Sequence, residues 1–212
     1  MNDRNGAYVV GFPRSAPALS KNPMRITVID GHPDRARERF CHALAASYAD
    51  GARQSGHEVR MIAISELEIP FLRSQDEWML SPLPPQLADA EDALHWANHV
   101  VVVYPLWLGD VPAYLKAFLE QVARPGFAFT PGPRGPIPGP LKGRSARVIV
   151  TMGMPAFVYR WFFLEHSLAS LRRNVLEFVG IRPVRTTIIG SVETTDRRKW
   201  LEKVRALGRA AR

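Results

Sequence analysis

Four β-branched residues in a row, Val100-Val101-Val102-Val103, limit what this chain can fold into more than any other segment. A strand with one wet face alternates apolar and polar side chains. A run without alternation is buried on both faces, as in the central strand of a parallel sheet. Parallel neighbours need long crossover connections, and the flanking sequence supplies them. Arg25-Ile26-Thr27-Val28-Ile29-Asp30-Gly31 reads as a strand ending in a loop, and 59–64, 147–152 and Val184–Ile189 read as three more. Helical patterns cover 40–52, 86–98, 112–123, 157–179 and 195–207, with Pro112 in a first turn where proline is tolerated and Gly180 as a stop. Between them, 125–143 is too rich in proline and glycine for a regular element, apart from a strand-like Phe127-Ala128-Phe129.

Alternating strands and helices of this kind predict an α/β protein, with a five-stranded parallel sheet and helices on both faces. Its 212 residues suit one domain, expected over 24–212 behind an N-terminal extension at 1–23 that lacks the pattern of a secretory signal. No apolar run approaches the ~20 residues that span a bilayer. The single cysteine, Cys41, forbids an intrachain disulfide and suits a reducing cytoplasm. The net charge is +8, and 182–212 alone holds nine Lys and Arg against three Asp and Glu. That patch is either a solvated helix or an attractor of phosphates, membranes or acidic partners. Its one aromatic residue, Trp200, does not make the interleaved pattern of a nucleic-acid stacking surface. Nucleotide hydrolysis, acyl transfer and metal catalysis find no motif of their own.

In a parallel α/β sheet, ligands bind outside the carboxyl ends of the strands, where strand order reverses. Three loops fall there. The first, Gly31 through Cys41, joins a helix start to several arginines, which suits an anion, with His32 as a further donor; its plain alternative is a solvated loop. The second, Tyr104-Pro105-Leu106-Trp107-Leu108-Gly109-Asp110-Val111-Pro112, makes a stiff apolar ledge on which a planar aromatic ligand stacks, or else a tryptophan that corks the sheet. The third, Thr151-Met152-Gly153-Met154, brings backbone donors close to a ligand at Gly153.

These segments, with Pro125-Gly126-Phe127-Ala128-Phe129 and the helix Ala113-Tyr114-Leu115-Lys116-Ala117-Phe118, resemble the flavodoxin-like NAD(P)H:quinone oxidoreductases. That family includes the DT-diaphorase, modulator-of-drug-activity and potassium-efflux ancillary-subunit types. The resemblance implies a flavodoxin-like fold and a homodimer. It implies a bound flavin, FAD ahead of FMN, reduced by NAD(P)H and reoxidised by a small quinone-like acceptor. It implies that His32, Arg39, Phe40 and Cys41 line the flavin's phosphate side and that Pro105, Leu106, Trp107 and Leu108 carry the ring. Thr151, Met152, Gly153 and Met154 would touch the pyrimidine end, and no metal is called for. Arg37-Glu38-Arg39 stands where many members place a small hydroxyl residue for phosphate.

Along 157–179, Phe157, Trp161, Leu164, Leu168, Leu171, Val175 and Phe178 recur at helical spacing, as an apolar stripe expected to pack on the sheet. Tyr159, Phe163, His166, Ser170 and Arg173 follow about 200° away and are expected to face outward. Tyr159 and His166 sit where the resembled family places a tyrosine and a histidine, so they are the expected catalytic pair, steadying charge on the reduced flavin across a dimer. The other readings are an electron carrier, which the basic charge disfavours, and a regulatory subunit that meets a membrane transporter through its C-terminal helix.

Overall fold

A computed structural model describes residues 22–133, 135 and 137–211; up to residue 21 the expected extension lies outside the described residues. Strands β1 (Arg25–Asp30), β2 (Glu58–Ala63), β3 (His99–Pro105), β6 (Ser145–Thr151) and β7 (Val184–Ile189) form one parallel sheet in the order β2-β1-β3-β6-β7. The chain first moves from β1 to one side and then to the other, so strand order reverses between β1 and β3. Register aligns Asp30 with Val103, Pro105 with Thr151, and Thr151 with Ile189. The three loops expected to carry the site therefore leave the sheet at one edge.

Both faces of the sheet are covered, as the Val100–Val103 run requires. Val100 and Val102 join a core with Leu115, Phe118, Val148 and Val150 beneath α3 (Ala88–Trp96) and α4 (Ala113–Val122). Val101 and Val103 point the other way, into a core with Ile26, Val28, Leu44 and Ile149 beneath α1 (Phe40–Gln54) and α7 (Arg197–Arg209). α1 and α7 touch through two glycines. A Cβ at Gly51 would stand 2.0 Å from the Arg205 carbonyl, and one at Gly208 would stand 2.1 Å from that of Tyr48. The strand-like Phe127–Phe129 appears only as β4 (Phe129–Thr130), paired in a hairpin with the unanticipated β5 (Ile137–Pro138), and α2 (Gln75–Leu80), capped by Ser74, was also not anticipated.

The helix expected over 157–179 is broken. α5 (Ala156–Trp161) ends early, and Leu164 and Glu165 take left-handed backbone, with φ of 52° and 50°. α6 (His166–Ser170) then runs into a π-helical turn, Leu171–Leu176. The break resets the helical phase, which corrects the stripe expectation. Leu168 and Leu171 are buried, but Phe157, Trp161 and Leu164 are 64 to 80% exposed. Tyr159, expected to face outward, is only 1% exposed.

Candidate functional site

The three loops are tied to one another. His32 meets the Trp107 ring edge-on, with centroids 5.7 Å apart. The Leu106 amide donates to the Thr151 carbonyl at 2.7 Å, and Cys41 Sγ lies 3.2 Å from Thr151 Oγ1. Each loop thus rests on the other two, which fixes a single surface at the switch point.

Loop one starts from Gly31, whose amide donates to the Val103 carbonyl. A Cβ there would stand 2.8 Å from Leu115 Cδ2 and 2.9 Å from that carbonyl, so only glycine lets β1 pass so close to β3. Beyond it lies a hydrogen-bonded brace. The Asp34 amide donates to His32 Nδ1 at 3.1 Å, which leaves the proton on Nε2, the nitrogen free to meet a ligand. Burial and the neighbouring His42 hold the His32 pKa below the usual histidine range, so the ring is a neutral donor. His42 Nδ1 lies 2.5 Å from Asp30 Oδ2, and its Nε2 donates to the Asp34 carbonyl at 2.8 Å. The Ala36 amide and the Arg39 guanidinium hold the Asp34 carboxyl below the ordinary range, and Arg39 is itself engaged by that carboxylate. The residue before α1 offers no side-chain cap, so the first-turn amides of Phe40 and Cys41 remain for an outside acceptor.

Loop two is a tight turn. Trp107 and Asp110 exchange two backbone hydrogen bonds of 2.9 Å, while Leu108 and Gly109 take φ of 49° and 82°. This two-residue turn with positive φ at both positions lifts Trp107 and Leu108 above the sheet edge, leaving the indole 47% exposed. Trp107 is thus a half-exposed surface at the sheet edge and not a buried plug. In loop three, Met152 is buried, its amide bonded to the Ile189 carbonyl and its carbonyl to the Val192 amide. Thr151 spends its hydroxyl on Cys41 and its carbonyl on Leu106. Among the described residues the amides of Gly153 and Met154 have no backbone acceptor, and nothing lies within 4 Å of where a Cβ on Gly153 would be.

Several expected site residues are placed differently from their sequence reading. The Cys41 thiol is turned inward and burial pushes its pKa up to about 12, so only its backbone faces the loop. The Tyr159 hydroxyl sits 2.7 Å from Ser167 Oγ and accepts from the Leu168 amide at 3.1 Å, where it pins α6 to α5. His166 is exposed, with Nδ1 against the Phe163 carbonyl at 2.8 Å, so the two do not share an outward face. Two residues were missed. His42 carries no sequence signal, since nothing in the primary structure pairs it with Asp30. Arg197, at the start of α7, lays its guanidinium 5.3 Å from the centre of the Phe40 ring; in sequence it was one charge among many in the basic C-terminal stretch.

An apolar ledge at Trp107, free amides at Gly153 and Met154, and uncapped amides with cationic neighbours at α1 suit an elongated ligand that is flat and polar-edged at one end and anionic at the other. A flavin phosphate has that chemistry. Among the described residues no helix is long and apolar enough to cross a membrane.

Known proteins similar to this chain share its fold. A protein of Haemophilus influenzae named an uncharacterized NAD(P)H oxidoreductase is 26% identical over 177 residues, 82% of this chain and 87% of that one. An FMN-dependent NADH:quinone oxidoreductase of Colwellia psychrerythraea is 32% identical over 93 residues, 44% of this chain and 46% of that one. The solved NAD(P)H:quinone oxidoreductase of Methanothermobacter marburgensis has the same fold, with a TM-score of 0.75 at 21% identity over 89% of this chain and 96% of that one. A family model described as the flavodoxin-like fold matches residues 24–209, and the chain belongs to that family.

Proposed function

We propose that this protein is a flavin-dependent NAD(P)H oxidoreductase that reduces a small quinone-like acceptor. The observation that carries the reading is the set of three interlocked loops, which present an aromatic ledge, free amides and an anion-ready helix start on one surface. The names of relatives from Haemophilus influenzae and Colwellia psychrerythraea support the same chemistry. The relative named FMN-dependent favours FMN over the FAD expected from sequence.

When bound, the flavin supplies the hydride chemistry itself, and the chain's residues set its position and surroundings. Pro105 through Leu108 would carry the ring, with Trp107, braced by His32, as its platform. The amides of Gly153 and Met154 would donate to its polar edge, where reduction leaves negative charge. Phe40 and Cys41 offer amides to the phosphate. Tyr159 holds the α5–α6 corner in place, and of the expected pair it is His166, whose ring is exposed, that would meet an acceptor or a second subunit. Exposed Trp107, Leu108, Phe157, Trp161 and Leu164 favour assembly as a homodimer, which would cover them. The lone buried cysteine fits a cytoplasmic setting.

The test is to reconstitute the purified protein with FMN and add NADH or NADPH without oxygen. Bleaching of the bound flavin's visible absorption, reversed by a quinone, is the expected result. Bound flavin that neither nicotinamide bleaches would point instead to an electron carrier, and absence of flavin binding would end the proposal.

A further inference from the structure

We propose that the broken helix after α5 builds a second pocket, for a small oxyanion of the phosphate or sulfate class, held by Arg172, Arg173 and Thr186. These residues meet at a cavity of about 170 Å³ between α6, the π-helical turn and the edge strand β7. Pockets for drug-sized ligands start at roughly 300 Å³, and one water takes about 30 Å³. The cavity therefore suits a tetrahedral anion with its waters and is too small for a nucleotide. It also lies apart from the three loops. Thr186 pairs with Val148, three residues below the Thr151–Ile189 pair at the sheet edge, or about 10 Å along the strands.

The donors around this cavity lack acceptors in the protein. Arg172 Nε is buried with no hydrogen-bond partner among the described residues. Its ion-pair partner, Glu177, stays 3.8 Å away, beyond hydrogen-bond reach, and is shared with Arg182 at 3.7 Å. Among the described residues the Arg173 guanidinium and the Thr186 hydroxyl have no hydrogen-bond partner either. Glu165, the acid beside them, is engaged by Arg160 at 3.0 Å. Two guanidinium groups and a hydroxyl are thus left to donate, and guanidinium binds phosphate or sulfate oxygens through paired, charge-assisted hydrogen bonds. An anion there satisfies a buried donor that is otherwise costly to leave unpaired.

The backbone departs from regular helix twice, and both departures border the cavity. Successive side chains of an α-helix point about 100° apart. The π-helical turn, in which the Glu177 amide donates to the Arg172 carbonyl at 2.8 Å, is wider and lets the adjacent Arg172 and Arg173 reach one cavity. Leu164 and Glu165, the left-handed pair, line it as well. Irregular turns and strained backbone of these kinds gather where ligands bind. A bound anion would tie the broken segment to β7.

The experiment is calorimetric titration of the full chain with inorganic phosphate, sulfate and chloride at one ionic strength, with and without excess FMN. Phosphate and sulfate are expected to bind one per chain in both conditions, and chloride not to replace them. Arg172→Gln and Arg173→Gln should each raise the phosphate Kd roughly 10- to 100-fold, the range of one charged hydrogen bond. Thr186→Val, which keeps the side chain's shape, should raise it by roughly 2- to 10-fold. Lys203→Gln, a charge lost from α7 beside Trp200, should leave it unchanged. Circular dichroism checks that each variant folds, and exposed Arg173 keeps the test open if Arg172→Gln does not. No saturable phosphate binding, equal binding of chloride, or a Kd that both arginine variants leave unmoved overturns the pocket. Binding that excess FMN abolishes would belong to the three loops and overturns it too, whereas failure of FMN to bind sinks only the flavin reading.

Discussion

His42 reaches Asp30 through Nδ1 at 2.5 Å and the Asp34 carbonyl through Nε2 at 2.8 Å. The ring thus links the end of β1 to the middle of loop one. The other Asp30 oxygen accepts the His32 amide at 3.3 Å, so one carboxylate at the end of β1 steadies loop one from two sides. His42→Leu strands that buried carboxylate and should cost about 3 kcal/mol of stability. Urea unfolding would show a lower midpoint at unchanged slope. An unmoved midpoint would mean the pair braces nothing.

Trp107 stands over the sheet edge with about half its surface open, which suits the ring platform proposed for it rather than a place in the core. Trp107→Ala should weaken flavin binding roughly tenfold, the scale of one lost aromatic stack, and shift the thermal midpoint little. A large loss of stability with unchanged flavin affinity would return the residue to the role of a cork.

The α1–α7 contact depends on two positions where no side chain fits. With a Cβ at Gly51 only 2.0 Å from the Arg205 carbonyl, Gly51→Ala must push the helices apart. A destabilisation of about 2–3 kcal/mol is expected, visible as a lower melting temperature. A variant as stable as wild type would show that the helices are not in such close contact.

His99 is 1% exposed, with Nδ1 against Ser145 Oγ and Nε2 buried without a partner among the described residues. Burial, with Arg147, Arg185 and His57 nearby, lowers its pKa from 6.5 to about 4. Between those values the unfolded chain binds a proton that the folded one does not, so stability rises with pH and is lost as pH falls from about 6.5 towards 4. The full effect is on the order of 3 kcal/mol. Urea denaturation across that window should show a steeper decline for wild type than for His99→Gln; parallel declines would exclude His99 as the source.

Tyr159 and His166 should separate experimentally. Tyr159→Phe loses the bonds to Ser167 and Leu168 and should cost about 1 kcal/mol of stability while flavin reduction by NAD(P)H stays near wild type. His166→Ala should leave stability unchanged and slow reoxidation by a quinone. Stopped-flow measurement of each half-reaction checks both, and wild-type rates throughout would remove His166 from the chemistry.

The sheet, its central strand and the three loops were legible because they rest on local signals. An unbroken valine run means burial on two faces, and glycine and proline mark where strands end. The break at Leu164–Glu165 was not legible. Neither residue announces a left-handed backbone, and the apolar spacing continues through the break as if the helix did. Without that break, Tyr159 and Phe157 were assigned to each other's environments.

Sequence by itself determined the fold class and the edge of the sheet where the three loops gather, since periodicity and turn chemistry act over a few residues at a time. Only the tertiary structure decided which side chains serve that edge. His42 finds Asp30 across a loop, Arg197 finds Phe40 across 157 residues of chain, and the Cys41 and Tyr159 side chains are turned inward. Such pairings depend on how helices settle against the sheet, and close packing of the whole core, rather than any local preference, fixes that.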